Sequence, residues 1–364
     1  MPSARSGPRV SALRAAVARL FFAGIPTTTL DDATIALHAE MPFGGVVLFR
    51  HNGGEPAAMR RLTDAIHRLD PQLPPLVAID HEGGRVHRLD PPFTRFPPPA
   101  VVAAHGAPAV RAVAAAMARE LAAIGIDLTF APVLDVASNP ANPVIGDRAF
   151  ATEPEAAAAL ALAAFRATRA AGLLTCGKHF PGHGDTAADS HLELPIVEKT
   201  RRELTRTELV PFRRAIAAGI PMLMSAHVLY PALDRDRPAT LSPAILTGLL
   251  RRHLGFRGVV CTDDLEMRAI ADHYGPGEAA VAAIAAGVDL LLYCHRQDDL
   301  RTAITAVERA LAEGRLDERR IAASHRRVVA LAHWRARHRR SVPLSSIGTR
   351  AHRHLDATLR ADAQ

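Results

Sequence analysis

Residues 173–191 read Leu173-Leu174-Thr175-Cys176-Gly177-Lys178-His179-Phe180-Pro181-Gly182-His183-Gly184-Asp185-Thr186-Ala187-Ala188-Asp189-Ser190-His191. The stretch starts as a short apolar run, typical of a buried strand, and continues directly into a polar loop. The loop is broken by glycine and proline and holds three histidines and two aspartates. Titratable groups are costly to bury unless they are paired, and loops positioned at strand ends often carry function. The stretch therefore predicts a functional loop at the carboxyl end of a strand.

Runs like the one at 175–179 recur along the chain and predict eight strands. They lie at 20–24, 45–49, 76–80, 128–133, 175–179, 222–227, 259–263 and 290–294. Several are continuously apolar, as parallel strands buried on both faces are, and helical patterns separate many of them. Repeated strand–helix alternation predicts an α/β fold, a single (β/α)₈ TIM-type barrel over residues 1–343. Residues 344–364 are expected to form a polar C-terminal tail, either mobile or a surface helix.

A doubly wound open sheet is the alternative fold. No Gly-x-Gly-x-x-Gly turn follows an early strand, which argues against a dinucleotide site. Polar residues end several of the apolar runs, and a barrel would bring those ends to one mouth. The residues concerned are Asp80, Lys178, His179, His227 and Asp263.

The composition limits which binding partners and which cellular location the sequence predicts. The net charge is +7, but acids are interspersed with arginine up to about residue 320, and aromatics are 4% of the chain. We therefore expect no nucleic-acid partner. No apolar run has the length of a membrane span or of a signal-peptide core, so we expect no membrane association and a cytoplasmic location. The three cysteines, Cys176, Cys261 and Cys294, are expected to be buried free thiols.

Four ordered segments closely resemble the β-N-acetylhexosaminidase branch of glycoside hydrolase family 3. They lie at 178–191, 78–88, 146–150 and 260–267, and the resemblance runs from about residue 20 to about residue 294. One departure is His81, where the family usually has Gln. The resemblance implies an exo-acting, retaining enzyme that removes non-reducing terminal N-acetylglucosamine from muropeptide fragments during peptidoglycan recycling. The low aromatic content, typical of a small polar pocket, agrees with exo-action.

The resemblance also implies residue roles. Asp263 would be the nucleophile, His191 the general acid/base and Asp189 the residue that orients it. The sugar would be bound by Asp80, Arg88, Arg148, Lys178 and His179. From the residues alone, Asp264 rivals Asp263, but adjacent strand side chains point to opposite faces and Asp264 suits a helix cap better. An imidazole titrates near neutrality, so it can donate and then accept a proton within one cycle.

Other residues of these segments are expected to brace the loops. Arg85 and Glu82 suit a buried ion pair, and His183 and Asp185 are expected to be paired through hydrogen bonds. The spacing of His179, His183 and Asp185 would also fit zinc, but the resemblance requires neither a metal nor any cofactor. The alternatives that stay open are a same-family glycosidase or phosphorylase acting on another β-glycoside, and a non-catalytic sugar-binding barrel.

Overall fold

The apolar runs form eight parallel strands, and each strand pairs with the next until the last pairs with the first. This closed arrangement is seen in a computed structural model that describes residues 8–187, 189–190 and 193–361. The predicted (β/α)₈ barrel is confirmed. The strands are β1 (Phe21–Gly24), β2 (Gly45–Leu48), β3 (Leu76–Ile79), β4 (Leu128–Thr129), β5 (Leu174–Phe180), β6 (Met222–Ser225), β7 (Val259–Asp264) and β8 (Leu290–Tyr293).

The shortest strand, β4, covers only the first part of its apolar run. Pro132 follows closely and has no N–H to donate to a neighbouring strand, so the ladder stops before it. Pairing resumes at a single bridge between Val133 and Lys178 of β5. The longest strand, β5, is buried along its whole length although it ends on charged and polar side chains. That burial places the start of the polar loop inside the carboxyl end of the barrel.

The remaining chain is mostly helical and surrounds the barrel. The helices are α1 (Pro8–Ala18), α2 (Asp32–Glu40), α3 (Pro56–His67), α4 (Pro99–Ala104), α5 (Gly106–Ala123), α6 (Pro154–Ala170), α7 (Arg201–Arg206), α8 (Leu209–Ala217), α9 (Arg268–Ala271), α10 (Pro276–Ala286), α11 (Gln297–Ala312), α12 (Glu318–His338) and α13 (Arg350–Ala361), with a π-helix at Ala244–His253. Short 3₁₀ turns lie at Arg50–Asn52, Gly146–Arg148, Ala239–Leu241 and Leu344–Ser346.

The helical segment that follows Thr200 is split in two. A capping box forms at Thr200, with Thr200 N donating to Glu203 Oε2 at 2.8 Å. The helix then breaks at residues 207–208, between α7 and α8. Pro211, in the first turn of α8, cannot donate to the carbonyl of Thr207, which favours a restart over a continuous helix.

Helix α12 crosses the amino-terminal end of the barrel instead of completing the outer ring. Arg335 Nε lies 3.0 Å from Asp127 Oδ1, just before β4. Arg320 and Arg327 pair with Asp289, just before β8, at 3.1 and 3.0 Å. The strand starts are thus closed from below by charged pairs, which leaves the opposite end of the barrel as the open mouth.

The C-terminal region beyond Pro343 forms a helix on the surface, one of the two expectations for it. Glu120 of α5 accepts from Gly348 N at 3.0 Å and lies 2.7 Å from His352 Nδ1. Leu359 of α13 is buried among the apolar residues of α5 and α6. Within the described chain, none of the helices combines the length and the apolar character that crossing a membrane requires.

We predict that the fold loses stability in mildly acidic solution because it buries neutral histidines. Burial, with help from nearby cations, lowers the pKa of His38, His87 and His183 to about 4 each. In the unfolded chain these groups take up protons near pH 6.5, so the unfolded state binds more protons as the pH falls. The free energy of unfolding should therefore fall between about pH 6.5 and 4, as urea titrations across that range would measure.

His38→Phe tests this explanation, because it removes one of the buried imidazoles. The His38 ring packs edge-on against Phe43 with centroids 4.6 Å apart, so an aromatic replacement suits the position. His38→Phe should flatten the acid limb relative to the parent. His253→Gln, at an exposed position on the π-helix, serves as the control and should leave that limb unchanged. Identical acid limbs in all three proteins would contradict the explanation.

Candidate active site

The carboxyl ends of β3 and β5 meet through a buried lysine. Lys178 Nζ lies 2.7 Å from Asp80 Oδ1 and 2.6 Å from Glu82 Oε1. Burial lowers the pKa of the Lys178 ammonium, but the two carboxylates outweigh burial and raise it overall. Lys178 is therefore charged at neutral pH, and its charge is balanced inside the mouth. The structure therefore brings the ends of β3 and β5 together, as the sequence predicted.

Glu82 connects this lysine to a second buried cation. Its two oxygens accept from Arg148 Nε at 2.8 Å and from Arg148 Nη2 at 2.9 Å. Burial opposes ionisation, yet Arg148 and Lys178 lower the pKa of Glu82 far below its usual range. The buried ion pair expected of Glu82 exists, but with Arg148. Arg85 instead lies half-exposed, 3.5 Å from Asp147, and donates to the Pro143 carbonyl.

Arg88 completes the β3 side of the mouth. Its Nη2 lies 3.6 Å from Asp80 Oδ2, and both side chains are partly exposed. Asp80 thus faces two cations, Lys178 from below and Arg88 from above, while keeping access to solvent. Such a carboxylate can accept hydrogen bonds from hydroxyl groups without losing its counter-charges.

The β5 end is also held by a carboxylate that sequence reasoning missed. Asp135, in the loop after β4, lies 2.7 Å from His179 Nδ1 and accepts from His183 N at 2.7 Å. Burial raises the pKa of Asp135, but the two histidines and these hydrogen bonds lower it overall. An ionised Asp135 can only accept, so His179 carries its proton on Nδ1 and directs Nε2 away from this carboxylate. A lone aspartate within the apolar stretch 133–136 was the available signal.

Asp263 occupies the carboxyl end of β7, where it interacts electrostatically with two histidines and with Lys178. Its Oδ1 accepts from Asp264 N at 2.9 Å. Burial raises its pKa, but the positive potentials of His179, His227 and Lys178 lower it overall. His227 donates from Nε2 to the Asp264 carbonyl at 2.9 Å, leaving its buried Nδ1 without a partner among the described residues. Asp263 is therefore a partly exposed carboxylate that is ionised at neutral pH.

The neighbouring carboxyls on this side have structural partners. Asp264 Oδ1 accepts from Glu266 N at 3.1 Å, and Oδ2 lies 3.1 Å from His295 Nε2. That hydrogen bond raises the pKa of His295 above its ordinary value. Burial and the Asp264 charge raise the pKa of Glu266, which accepts from the backbone N–H groups of His295 and Arg296. Glu266 was not predicted as a site residue and is a second candidate for a proton donor.

Within the polar loop after β5, the His183 side chain is held by uncharged groups. His183 lies 2.9 Å from Thr186 Oγ1 and 3.0 Å from Ser190 Oγ. Asn142 donates to the His183 carbonyl at 2.9 Å. At Gly184 any side chain would collide with the Val136 carbonyl, which explains the glycine. His183 thus braces the loop as expected, through hydroxyl groups.

Asp185 is braced from outside the loop by the second lysine of the chain. Lys199 Nζ lies 3.0 Å from Asp185 Oδ1 and 2.7 Å from Glu208 Oε1. Asp185 and His183 therefore have separate partners. Both lysines of this arginine-rich chain lie between two carboxylates. Because lysine is so rare in this sequence, Lys199 could have been singled out before the structure was known.

The predicted acid/base His191 lies outside the described residues, together with Ala188 and Leu192. Its described neighbours return towards β7: the Ser190 carbonyl accepts from Ala269 N of α9 at 3.4 Å. The Asp189 carbonyl accepts from Glu193 N at 3.0 Å. The loop thus comes back to the body of the protein a few residues beyond Asp263.

In the described part of the chain, His179, His183 and Asp185 do not form a ready set of zinc ligands. His183 uses both ring nitrogens on hydroxyl groups, His179 uses Nδ1 on Asp135, and Asp185 faces Lys199. No group of three or more His, Cys, Asp or Glu side chains suited to a metal occurs among these residues. What the mouth offers instead is the Asp263 carboxylate beside cations that are paired with other carboxylates.

Comparison with known proteins shows the family to which the chain belongs. Residues 17–331 match the model of the glycosyl hydrolase family 3 N-terminal domain. The curated beta-hexosaminidase of Alkalilimnicola ehrlichii is 42% identical over 325 residues, covering 87% of this chain and 91% of that protein. The family 3 beta-N-acetylglucosaminidase of Paenibacillus sp. str. FPU-7 has a TM-score of 0.92 at 41% identity, covering 95% of this chain and 68% of that one. NagZ of Neisseria gonorrhoeae, solved with N-trifluoroacetyl-D-glucosamine, has a TM-score of 0.72 at 34% identity, covering 86% and 98% respectively.

We predict that the stability of the mouth depends on the Glu82 charge. Glu82→Gln leaves Arg148 without its buried counter-ion and Lys178 with one carboxylate instead of two. Breaking a buried pair in this way costs about 3–5 kcal/mol of unfolding free energy. Urea unfolding would measure the loss.

A matched control is Glu155→Gln. Glu155 pairs with Arg214 at 2.9 Å, but both side chains are mostly exposed. Removing such a surface pair should cost no more than about 1 kcal/mol. Equal losses in the two variants would mean that Glu82 is not the counter-ion on which the buried cations depend.

Proposed function

Because the chain belongs to glycosyl hydrolase family 3 and is a glycosidase, we propose that it is an exo-acting, retaining β-N-acetylglucosaminidase. The observation that carries the proposal is the Asp263 carboxylate, which lies partly exposed at the carboxyl end of β7 and is kept ionised by surrounding positive potential. A glycosidase of the retaining type needs such a carboxylate to attack the anomeric carbon. Asp264 is less suited because His295 and Glu266 N occupy its oxygens.

In the first step, the Asp263 carboxylate forms an ester bond to the anomeric carbon while the glycosidic C–O bond breaks. The leaving oxygen needs a proton, and we assign its donation to His191. In the second step His191 removes a proton from water, whose oxygen displaces Asp263 and regenerates the carboxylate. Asp189 would hold the imidazole in the required tautomer. This assignment rests on the family resemblance and on the return of Ser190 to Ala269, beside the β7 end.

The sugar would be held on the opposite side of the mouth. Asp80 and Arg88 are partly exposed and can reach hydroxyl groups, and His179 offers Nε2. Lys178 lies beneath Asp80 and is almost fully buried, so its contact with the sugar would come through one remaining N–H. Arg148 is buried behind Glu82 and donates three hydrogen bonds to protein atoms. We therefore assign Arg148 mainly to fixing Glu82 and Lys178.

The substrate follows from the relatives and from the chemistry of the mouth. The Paenibacillus relative is named a β-N-acetylglucosaminidase, and the Neisseria structure holds an N-acylated glucosamine analogue. We propose non-reducing terminal N-acetylglucosamine on muropeptide fragments, as part of peptidoglycan recycling. A cytoplasmic location stays a prediction from the sequence.

We predict that a 5-fluoro N-acetylglucosaminyl fluoride will trap an ester on Asp263. The fluorine slows both steps, and the good leaving group favours the first, so the intermediate accumulates. Peptide mass spectrometry would place the adduct. An acetamido sugar can also react through its own amide with retained configuration, and that route leaves no enzyme ester. An adduct on Asp264, or none at all, would overturn the assignment.

Asp263→Asn keeps the size of the side chain and removes the attacking charge. Hydrolysis of nitrophenyl β-N-acetylglucosaminide should fall on the order of 10³-fold or more, while the melting temperature stays near that of the parent. Assays with and without phosphate would separate a hydrolase from a phosphorylase. A non-catalytic barrel would give no turnover even before substitution.

We predict that His191→Ala will harm substrates unequally, because an activated nitrophenolate leaves without much protonation and a sugar alkoxide does not. The rate of the first step should fall far more with a disaccharide than with the nitrophenyl substrate. Asp189→Ala should show the same pattern more weakly.

Glu266→Gln is the discriminating comparison, because Glu266 is the other proton-donor candidate. It should lower both rates by a similar, small factor, since its oxygens already accept from two backbone N–H groups. A selective loss on the disaccharide in Glu266→Gln, and not in His191→Ala, would transfer the acid role to Glu266.

A further inference from the structure

A cavity of about 260 Å³ lies at the amino-terminal end of the barrel, opposite the mouth. Its walls come from the first residues of β5 and β7, from the end of α6 and from α12. Leu173, Val259 and Leu331 supply apolar surface, and Trp334, the single tryptophan of the chain, forms one side. The volume equals roughly nine times the share of one liquid water, which suits a small organic molecule.

The charged residues of this cavity are all cationic. Arg169, Arg257 and Arg327 line it, and none of the described residues in its lining is acidic. Arg169 stacks over Trp334 with its guanidinium carbon 5.6 Å from the ring centroid, and donates to the Gly219 carbonyl at 3.3 Å. Arg257 makes no ion pair with any residue that the structure describes. Two guanidinium groups therefore face the cavity without a carboxylate partner.

The third arginine, Arg327, pairs with a carboxylate that also pairs with two other arginines. Asp289 is fully buried and pairs with Arg251, Arg320 and Arg327 at once. One negative charge thus faces three positive charges. Burial and the neighbouring arginines lower the pKa of Arg251, against the pull of Asp289, as expected where cations are in excess. An anion placed in the cavity would gain favourable interactions with this excess charge.

A buried polar group points to the same conclusion. Thr175 lines the cavity and is 1% exposed, yet its hydroxyl has no hydrogen-bond partner among the described residues. Buried hydroxyl groups normally have a partner, and each exception calls for an explanation. A ligand atom or a water that accompanies a ligand would supply that partner.

From these observations we propose that the cavity binds a small carboxylate with a flat apolar body. Its carboxylate would pair with Arg169 and Arg257, and its ring would pack between Trp334 and the leucine and valine side chains. An inorganic anion could use only the charges and would leave the apolar walls in contact with water. The site is separate from the proposed catalytic mouth, since it lies at the other end of the strands that carry Lys178 and Asp263.

Benzoate is the probe, because its binding can be followed through the fluorescence of Trp334. We expect a saturable change with benzoate. Benzyl alcohol has the same ring without the charge. It should bind at least about tenfold more weakly than benzoate, since hydrogen bonds to charged groups are stronger than those between neutral groups. Benzyl alcohol binding as tightly as benzoate, or inorganic phosphate displacing benzoate at equal concentration, would overturn the proposal, as would the absence of saturable binding.

Arg257→Gln tests the charge with little risk to folding, because Arg257 is exposed and lacks an ion pair in the described chain. Benzoate affinity should fall about tenfold, measured by calorimetry so that the readout does not depend on the tryptophan. Arg111→Gln, at an exposed arginine of α5, is the matched control and should bind as the parent does. Equal affinities in Arg257→Gln and Arg111→Gln would refute the assignment, and melting temperatures would confirm that both variants fold.

Discussion

The constraint on which the mouth depends is the burial of the Lys178 ammonium. A charge removed from water must be compensated locally, and here Asp80 and Glu82 approach it within hydrogen-bond distance from the β3 side. Glu82 in turn holds Arg148, which reaches in from the loop after β4. The loops after β3 and β4 and the end of β5 are thereby fixed relative to one another by charge balance. Lys178 also adds to the potential that keeps Asp263 ionised, so the fold and the proposed chemistry depend on one network.

Each long loop at the mouth is fixed by a carboxylate supplied by another element. Asp135 holds the backbone N–H groups of His179 and His183, and Glu208 holds Lys199, which in turn holds Asp185. These anchors fix the loop after β5 as far as residue 187, while the loop approaches the body again at Ser190. Asp189 lies between these anchors, and His191, to which the proton-transfer role is assigned, directly follows Ser190 in the sequence. Support on the amino-terminal side of these residues is what a positioned acid requires.

The sequence predicted the barrel well because its signal is local. Each apolar run reports its own burial, and the residue that ends a run lies at the mouth once the strands are parallel, as Asp80, Lys178 and Asp263 do. Pairings between distant loops carry no such local signal. Glu82 was assigned to Arg85, three residues away, whereas its partner is Arg148, and Asp135 was missed because nothing beside it in sequence indicates His179. The course of α12 was also not foreseen, since its amphipathic pattern reports a buried face and not what covers it.

The basic excess of the composition belongs to the C-terminal helices, including α12. Residues 318–361 contain eleven arginines and two acidic residues, while the rest of the chain has 33 basic and 35 acidic side chains. The whole positive excess thus comes from the C-terminal helices. Several of these arginines are used internally, on Asp127, on Asp289 and on the carbonyls of Val288 and Ile126. Charge is balanced at the mouth and in excess at the base, and where the excess meets an apolar cavity we propose a site for a small carboxylate.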